Sequence, residues 1–436
     1  MRLVALMPVS IADPLTLPCG VRLKNRLAKA AMTEGLADPW NRSTPRLETL
    51  YRRWAEGGAG LLLTGNVQVD RRYLERPGNV AIDGPQNADA MRALERFAAA
   101  TEATGAELMV QLSHAGRQTP VYVSKHPVAP SDIGLDLPGG QFGAPRALAA
   151  DEIEDVIDRF AQAASVCKAA GFAGVEVHGA HGYLISEFLN PKANRREDEW
   201  GGSLDNRARL LLRVVAAIRA KVGSGFPVAV KLNSSDFQKG GFSFDECLQV
   251  IEWLNEEGID FLEISGGSYE QPKMMDMEGI EPAEEQRPST KAREAYFLAY
   301  AEEAARVAKM PLMVTGGFRS RAAMDAALSS GAADLIGVAR PLCVDPDICA
   351  KLLSGAVEAA PRHEKDLRFG DGFWGPNSTN DLIKALNGFG AMAFFYENID
   401  RLADGEDGRE EMALLPAFLR YQMKERRMAG RLKKQS

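Results

Sequence analysis

The chain alternates eight short apolar runs with longer segments of helical periodicity, and this alternation most limits the folds open to it. The runs cover residues 27–32, 60–64, 107–112, 174–177, 228–232, 261–264, 312–314 and 335–338. Strands that are apolar almost throughout are covered on both faces, as in a parallel sheet. Eight such strands, each followed by a helix, predict an α/β protein with a closed (β/α)8 barrel, a TIM barrel. A doubly wound open sheet is the alternative, but the first strand leads into MTEGLAD and not into the glycine-rich turn that such sheets usually carry.

The segments on either side of the barrel predict two additions to it. Upstream, LTLPCGVRLKNR reads as a β-hairpin that turns at Pro18, Cys19 and Gly20 and could close the bottom of the barrel. After about Ser354 a polar linker leads into two further helical stretches. We therefore expect the barrel in residues 1–355 and a helical C-terminal extension in residues 356–436. The predicted helices are 46–56, 89–104, 151–170, 203–221, 243–257, 291–308, 320–330, one starting near 345, 380–402 and 410–428.

Composition excludes several classes of protein. The net charge of -7 argues against a dedicated nucleic-acid surface. The first residues do not have the pattern of a signal peptide, and no apolar run is long enough to span a membrane. The 5 cysteines are far apart and form no C-x-x-C pair, so neither an iron–sulfur cluster nor structural zinc is expected. We expect a cytoplasmic enzyme that acts on a small molecule and that could form a homo-oligomer.

Two glycine-containing motifs predict a phosphate site. VTGGF, with Gly316 and Gly317, follows the seventh strand, and GVAR, with Arg340, ends the eighth. Glycines let the backbone approach an anion closely, and an arginine adds a bidentate cation. Since many barrels bind phosphate with the loops after these two strands, the motifs together indicate a phosphorylated ligand.

Three side chains after the fourth strand predict a site that polarises a substrate. His178 and His181 flank a glycine turn, which lets both imidazoles converge on one oxygen, and Tyr183 follows as a candidate proton donor. Neutral histidines would act there as hydrogen-bond donors. Zinc binding and plain core packing are the alternatives, although zinc usually needs three or more ligands.

Single polar residues also interrupt other apolar strands. Thr33 ends the first, Gln111 lies in the third and Lys231 lies in the fifth. A buried lysine without a partner is costly, so Lys231 is expected to face an anion or an electron-rich ligand. A structural ion pair and a Schiff-base lysine of the aldolase kind both remain open.

The sequence resembles the Old Yellow Enzyme family of FMN-dependent ene-reductases, also called NADH:flavin oxidoreductases. The motif HGAHGYLISEFLNPKANRREDEWGGSLDNR matches the family's fourth-strand signature, and QLSHAGR, LKNRLAKAAMTEG, VTGGF and GVARPL match other family segments in the same order. The resemblance covers roughly residues 10–355. It implies FMN as the bound cofactor and NAD(P)H as the reductant.

The resemblance also implies roles for individual residues. His178 and His181 would hold the substrate carbonyl oxygen, and Tyr183 would donate a proton. Cofactor-binding roles fall on Ala30, Ala31, Met32 and Thr33 along the isoalloxazine, on Asn66, Gln111 and Lys231 at its polar edge, and on Gly316, Gly317, Ala339 and Arg340 at the phosphate. No metal is implied.

Two positions depart from the family pattern. Many bacterial members carry a cysteine where Thr33 stands and a substrate-contacting tyrosine where Gly35 stands. The expected activity is hydride transfer from NAD(P)H through FMN to the C=C bond of an α,β-unsaturated carbonyl compound. The alternatives are an FMN-dependent dehydrogenase or demethylase of an amine or a methylated aromatic, a Schiff-base aldolase on Lys231, and a non-catalytic flavin-binding protein. The physiological substrate, the choice between NADH and NADPH, the oligomeric state and the role of the extension are left open.

Overall fold

The structure is a computed structural model that describes residues 8–135, 140–236, 238–265 and 298–432, and these build a closed parallel barrel. Each barrel strand pairs in parallel with the next, and the eighth pairs with the first. The predicted (β/α)8 barrel is therefore confirmed. The barrel strands, β1 to β8, are Leu27–Lys29, Leu61–Leu63, Glu107–Ser113, Gly174–Gly179, Val228–Asn233, Phe261–Ser265, Leu312–Thr315 and Leu335–Val338.

Most helices lie where the periodicity predicts them, but the short helices Leu184–Leu189 and Arg340–Val344 were not predicted. The stretch 89–104 is an α-helix only to Ala99, and a separate 3-10 turn ends at Gly105, which has a φ of 63°. Of the predicted helix 291–308, residues 291–297 lie outside the described residues. The described α-helices, α1 to α12, are Pro45–Glu56, Ala88–Ala99, Ala150–Ala169, Leu184–Leu189, Leu204–Val222, Phe244–Leu254, Leu298–Ala304, Arg321–Ser329, Arg340–Val344, Ile348–Ser354, Asp381–Ala403 and Leu414–Ala429.

The N-terminal hairpin closes the bottom of the barrel. Leu15–Thr16 pairs antiparallel with Arg22–Leu23, and Gly20 turns the chain with a φ of 94°. Leu17 and Leu23 are buried in one apolar cluster with residues from the amino-terminal parts of the barrel strands. The hairpin thus supplies the apolar floor that the sequence predicts.

The barrel interior changes from apolar to polar along its axis. The apolar layer is formed by Ala28, Leu61, Met109, Ala229, Phe261, Met313 and Leu335. Two residues further along three of these strands stand Gln111, Lys231 and Glu263, all buried. Since side chains two residues apart share a face, the polar residues point into the same interior one layer nearer the carboxyl ends of the strands.

The C-terminal helices α11 and α12 pack against each other and against the barrel. Arg46 on α1 bonds Asp400 at 3.0 Å and Asp404 at 2.6 Å, both at the end of α11. Whether residues 356–436 form a separate unit stays a prediction. Among the described residues, no helix has the length and apolar character needed to cross a membrane.

Candidate active site

The closed barrel brings the predicted site residues to one end. Gln111 and Lys231 lie two residues before the carboxyl end of their strands, and the others lie at or just beyond it. In a parallel barrel these ends share one rim. Residues separated by up to 310 positions in the chain, such as Ala30 and Arg340, therefore lie along one rim. Ala30 also extends the ladder, because its N–H donates to Val338 O at 2.9 Å.

The two histidines and the tyrosine lie against one another. The ring centroids of His178 and His181 are 5.1 Å apart, and those of His178 and Tyr183 are 4.8 Å apart. His181 has a φ of 61°, a conformation that a non-glycine residue adopts only where its surroundings hold it. The sequence-predicted turn thus places both imidazoles on one side of the β4 end.

Both histidines are neutral in this environment. Burial lowers the pKa of His178 and of His181 well below the usual range, and the nearby positive charge of Lys231 lowers both further. His178 Nδ1 accepts the Ala180 N–H at 3.2 Å, so the proton of the neutral ring is on Nε2. His178 is therefore a neutral donor. No group of three or more His, Cys, Asp or Glu side chains that could hold a metal ion occurs in the described ranges.

The position of His181 depends on residues from two neighbouring strands. Its Nε2 lies 2.8 Å from Ser265 Oγ on β6, and its backbone N–H donates to Asn233 Oδ1 on β5 at 3.1 Å. Asn233 is fixed in turn by a 2.8 Å hydrogen bond to Asp236. Gln118 donates to the His181 carbonyl at 2.9 Å. These contacts stabilise the left-handed backbone of His181.

Lys231 forms an ion pair inside the barrel. Its Nζ lies 2.7 Å from Glu263 Oε1, and the two residues are register neighbours on β5 and β6. Of the interpretations that the sequence allows, the structural ion pair with a neighbouring carboxylate is thus realised. The pair does not preclude a further anion at Lys231, since an ammonium group has three donors.

A second polar pair stands beside the first. Gln111 Nε2 donates to Glu176 Oε2 at 2.7 Å, and these residues are register neighbours on β3 and β4. Burial raises the pKa of Glu176 well above its usual range, and the adjacent Glu263 carboxylate raises it further. The carboxyl group of Glu176 therefore binds a proton more readily than an exposed glutamate does, and it lies in the same layer as Lys231.

The segment 30–33 after β1 is anchored from behind by a buried polar network. Lys29 Nζ donates to Leu63 O at 2.7 Å and contacts Tyr51 OH at 3.0 Å. The Tyr51 hydroxyl donates to Glu34, whose carboxylate also accepts the Gly65 N–H at 2.8 Å. Because this network joins the ends of β1 and β2, it fixes the two segments that carry Thr33 and Asn66.

The predicted phosphate site has the required backbone and an additional arginine. Gly316 and Gly317 have φ values of 119° and 82°, which residues with a side chain rarely adopt. Arg319, two residues on, bonds Glu364 Oε1 at 2.7 Å, and Arg340 lies 3.8 Å from the same oxygen. Two arginines thus converge on one carboxylate oxygen beside the glycine turn.

These residues fit a flavin mononucleotide. The convergence of Arg319 and Arg340 on an anionic oxygen shows that this corner of the rim suits a phosphate. The buried Lys231 and Gln111 provide donors for a polar ring edge, and the interior floor below them is apolar. Met32, beside the predicted ring position, is held by a 3.4 Å contact with Cys343 Sγ.

Sequence reasoning missed several residues of this site. Glu263 carried a signal, since a lone acid in the apolar run FLEIS resembles the lone lysine in VAVKLN. Arg319 directly follows the glycine motif and could have been included with it. Glu364 and Ser265 carried no local signal, because their roles depend on which strands are adjacent.

Comparisons with known proteins agree with this geometry. The model of the NADH:flavin oxidoreductase / NADH oxidase family matches residues 10–358. The NADH-dependent flavin oxidoreductase iliE of Hypocrea jecorina is 41% identical over 354 residues, which cover 76% of this chain and 86% of that protein. NadA of Aspergillus parasiticus, also an NADH-dependent flavin oxidoreductase, is 40% identical over 352 residues, 77% of this chain and 76% of that protein.

Solved structures show the same similarity. An old yellow enzyme homologue from Zymomonas mobilis has a TM-score of 0.66 at 28% identity, over 80% of this chain and 94% of that one. A 2-naphthoyl-CoA reductase has a TM-score of 0.72 at 26% identity, over 81% of this chain and 54% of that one. The chain therefore belongs to the NADH:flavin oxidoreductase / NADH oxidase family, which is the predicted Old Yellow Enzyme family, and is an oxidoreductase that uses FMN with NAD(P)H as its reductant.

Proposed function

We propose that this enzyme reduces the C=C bond of α,β-unsaturated carbonyl compounds. The observation that carries the proposal is the pair of neutral imidazoles, His178 and His181, whose centroids are 5.1 Å apart at the barrel rim. Two neutral donors beside each other suit one carbonyl oxygen, on which negative charge grows during hydride addition. Bound FMN supplies the hydride that it has taken from NAD(P)H.

In this proposal the histidines bind and polarise the substrate. His178 Nε2–H donates to the carbonyl oxygen, because Nδ1 is already occupied by the Ala180 N–H. Ser265 Oγ, 2.8 Å from His181 Nε2, keeps the His181 ring oriented toward the same carbonyl oxygen. The carbonyl oxygen is thereby fixed, and with it the distance of the β-carbon from the hydride source.

Tyr183 is the proposed proton donor to the α-carbon, with water as the alternative. The residue is buried, and its ring meets His178 edge to face. We expect Tyr183→Phe to slow the reaction with enone more than the reaction with NAD(P)H, because only the former needs the proton. Equal slowing of both reactions would remove Tyr183 from this role.

The remaining predicted residues are proposed to hold the cofactor. Lys231 and Gln111 would contact its polar edge, since their donors are buried in the interior layer beside the rim. The phosphate would bind at the glycine turn with Arg340, and Arg319 is added to the set because it shares the anion with Arg340. The residues proposed along the ring are Ala30, Ala31, Met32, Thr33 and Asn66, and at the phosphate Gly316, Gly317 and Ala339.

The test separates the two half-reactions. Purified enzyme is reduced anaerobically with NADH or NADPH and then mixed with a panel of enones, while flavin absorbance is followed. Reoxidation by enones supports the proposal. Reduction of the flavin by an amine or a methylated aromatic, with no reoxidation by any enone, would instead favour the dehydrogenase or demethylase.

Variants of the histidines make the test specific. We expect His178→Asn and His181→Asn to lower the rate of reoxidation by enone about a hundredfold or more, as loss of an oxyanion donor does. FMN content and reduction by NAD(P)H should change little. The control is His126→Asn, at an exposed histidine. An unchanged enone rate in both variants would contradict the polarising role.

The proposed partner is one small enone-type molecule. A homo-oligomer and a cytoplasmic location stay predictions from the sequence. Light scattering of the holoenzyme and fractionation of cells that produce it would test these two points.

A further inference from the structure

The space beside Gly35 is filled by a buried arginine. A Cβ atom built on Gly35 would lie 2.6 Å from Arg76 Cζ and 2.9 Å from Arg76 Nε. Any side chain at position 35 would therefore have to displace this guanidinium. Gly35 stands two residues after Thr33, in the segment that also holds the proposed flavin contacts, so Arg76 packs directly against this segment.

The C-terminal helices hold Arg76 in this position. Its Nη2 bonds Glu425 on α12, and its Cζ lies 4.2 Å from the ring centroid of Tyr396 and 5.3 Å from that of Tyr421. The two tyrosines, one from each helix, stack with their planes 4° apart. Arg76 is only 3% exposed and Glu425 only 4%. The arginine is thus clamped by a carboxylate and by aromatic faces.

The loop that carries Arg76 also reaches the flavin side of the pocket. Glu75 is hydrogen-bonded to Thr33, and burial raises the pKa of this carboxyl group. Asn79 donates to Glu75 at 3.3 Å and to Asn66 O at 3.2 Å. Residues 75–79 therefore lie between the β1 and β2 ends on one side and α12 on the other.

Part of the Arg76 guanidinium has no protein partner. In the ranges that the structure describes, its Nε and Nη1 make no hydrogen bond, although both are buried. A buried donor without an acceptor is costly, and a charged one more so. These two N–H groups thus lack an acceptor from the described part of the protein and could be satisfied by one that a ligand supplies.

We propose that Arg76 determines substrate specificity by donating to an acceptor oxygen at the end of the substrate remote from the carbonyl. This inference rests on the proposed function, because it assumes that His178 and His181 hold the other end. Since Glu425 already neutralises the guanidinium, the site suits a neutral acceptor, such as a ketone or ester oxygen, better than a second carboxylate. The C-terminal helices then act as part of the substrate pocket, as positioning elements for Arg76.

Phenols are the probes for this proposal, because a phenol oxygen can take the place of the carbonyl oxygen at the histidines of the oxidised holoenzyme. The proposal then expects a para substituent to reach Arg76. The two probes are para-hydroxyacetophenone, which carries an acceptor, and para-isopropylphenol, which has a similar shape without one. Dissociation constants come from changes in the flavin spectrum. We expect Arg76→Met to weaken binding of the ketone about tenfold, the loss of one hydrogen bond, without changing binding of the alkyl phenol.

A second variant keeps the test decisive if Arg76→Met does not fold. Glu425→Gln preserves shape but removes the neutralising charge, so binding of para-hydroxybenzoate should improve about tenfold relative to para-hydroxyacetophenone. Arg420→Met is the matched control, since Arg420 lies on the same helix in a half-exposed pair with Glu397. It should change neither the ketone-to-alkyl-phenol ratio nor the benzoate-to-ketone ratio of dissociation constants.

Two results would overturn the inference. In the first, Arg76→Met leaves the ratio of the dissociation constants of the ketone and the alkyl phenol unchanged. In the second, Glu425→Gln leaves the ratio of the dissociation constants of the benzoate and the ketone unchanged. A wild-type enzyme that binds no phenol at all would overturn the proposed function itself. A measurement on the wild-type enzyme is enough to detect that failure, so it can be distinguished from a failure of the role proposed for Arg76.

Discussion

Lys231 Nζ and Glu263 Oε1 lie 2.7 Å apart inside the barrel, in side chains that are almost wholly buried. The positive charge that Lys231 would present to the proposed cofactor is therefore partly compensated by Glu263. Glu176 lies in the same buried layer, and burial together with the adjacent Glu263 carboxylate raises its pKa well above the usual range. A buried pair of this kind is costly to break from one side, because the remaining charge stays without compensation.

The first prediction concerns the reduction potential of bound FMN. Replacing both acids, Glu176→Gln with Glu263→Gln, leaves Lys231 as an uncompensated cation, which should favour the more negative reduced flavin. We expect the potential to rise by on the order of 30 mV or more, equivalent to ~1.4 kcal/mol for a two-electron couple. Spectroelectrochemical titration measures it. Glu176→Gln alone is the control and should shift the potential less, since the Glu263 carboxylate then still pairs with Lys231; a lower potential in the double variant would contradict the argument.

The second prediction concerns stability at acid pH. Burial lowers the pKa of His114 to about 4, against the opposing effect of Asp70. Below about 6.5 the unfolded chain binds a proton at this histidine and the folded chain does not, so stability is lost as the pH falls from 6.5 toward 4. Relative to His114→Gln, the wild type should lose roughly 1.4 kcal/mol per pH unit over this range.

Chemical denaturation at a series of pH values measures this difference. Comparison with the His114→Gln variant is needed because Glu176, whose pKa is raised, makes stability depend on pH with the opposite sign. His126→Gln, at an exposed histidine, is the control for replacing an imidazole outside the protein interior. A difference between wild type and His114→Gln that is flat from pH 6.5 to 4.5 would refute a depressed pKa.

The third prediction concerns the network behind Thr33. Tyr51→Phe keeps the ring packing but deprives Lys29 and Glu34 of a shared partner. Because both groups remain buried, we expect a loss of about 2–3 kcal/mol in the free energy of unfolding. FMN affinity should fall as well, since the network fixes the β1 end. Tyr122→Phe, at a half-exposed tyrosine, is the control; equal effects of the two variants would argue against the network.

The fourth prediction concerns the phosphate corner. Arg340→Met should weaken FMN binding about tenfold to a hundredfold, because a charge-assisted contact is removed. Quenching of FMN fluorescence on binding to the apoenzyme measures the affinity. Arg321→Met is the matched control, since Arg321 lies on the helix after the glycine turn and pairs only weakly with Asp325, at 3.5 Å. Similar losses in both variants would place the phosphate elsewhere.

The sequence alone determined the barrel and the rim of the site. Near-continuous apolar strands separated by helices leave few architectures, and lone polar residues at strand ends must then meet at one rim. The residues His178, Lys231 and Arg340 could be selected for this reason. The local sequence pattern was sufficient for this selection because the position of each residue on the rim depends only on its own strand.

Only the tertiary structure decided how these residues are paired. Lys231 contacts Glu263 because β5 and β6 are adjacent in that register, and no local pattern encodes register between strands. Arg76 and Glu425 are 349 positions apart, and their contact depends on how α12 docks on the barrel. Docking results from packing of whole surfaces, which periodicity along the chain does not specify. The sequence thus determined which side chains reach the rim, and tertiary packing decided which charges are neutralised there.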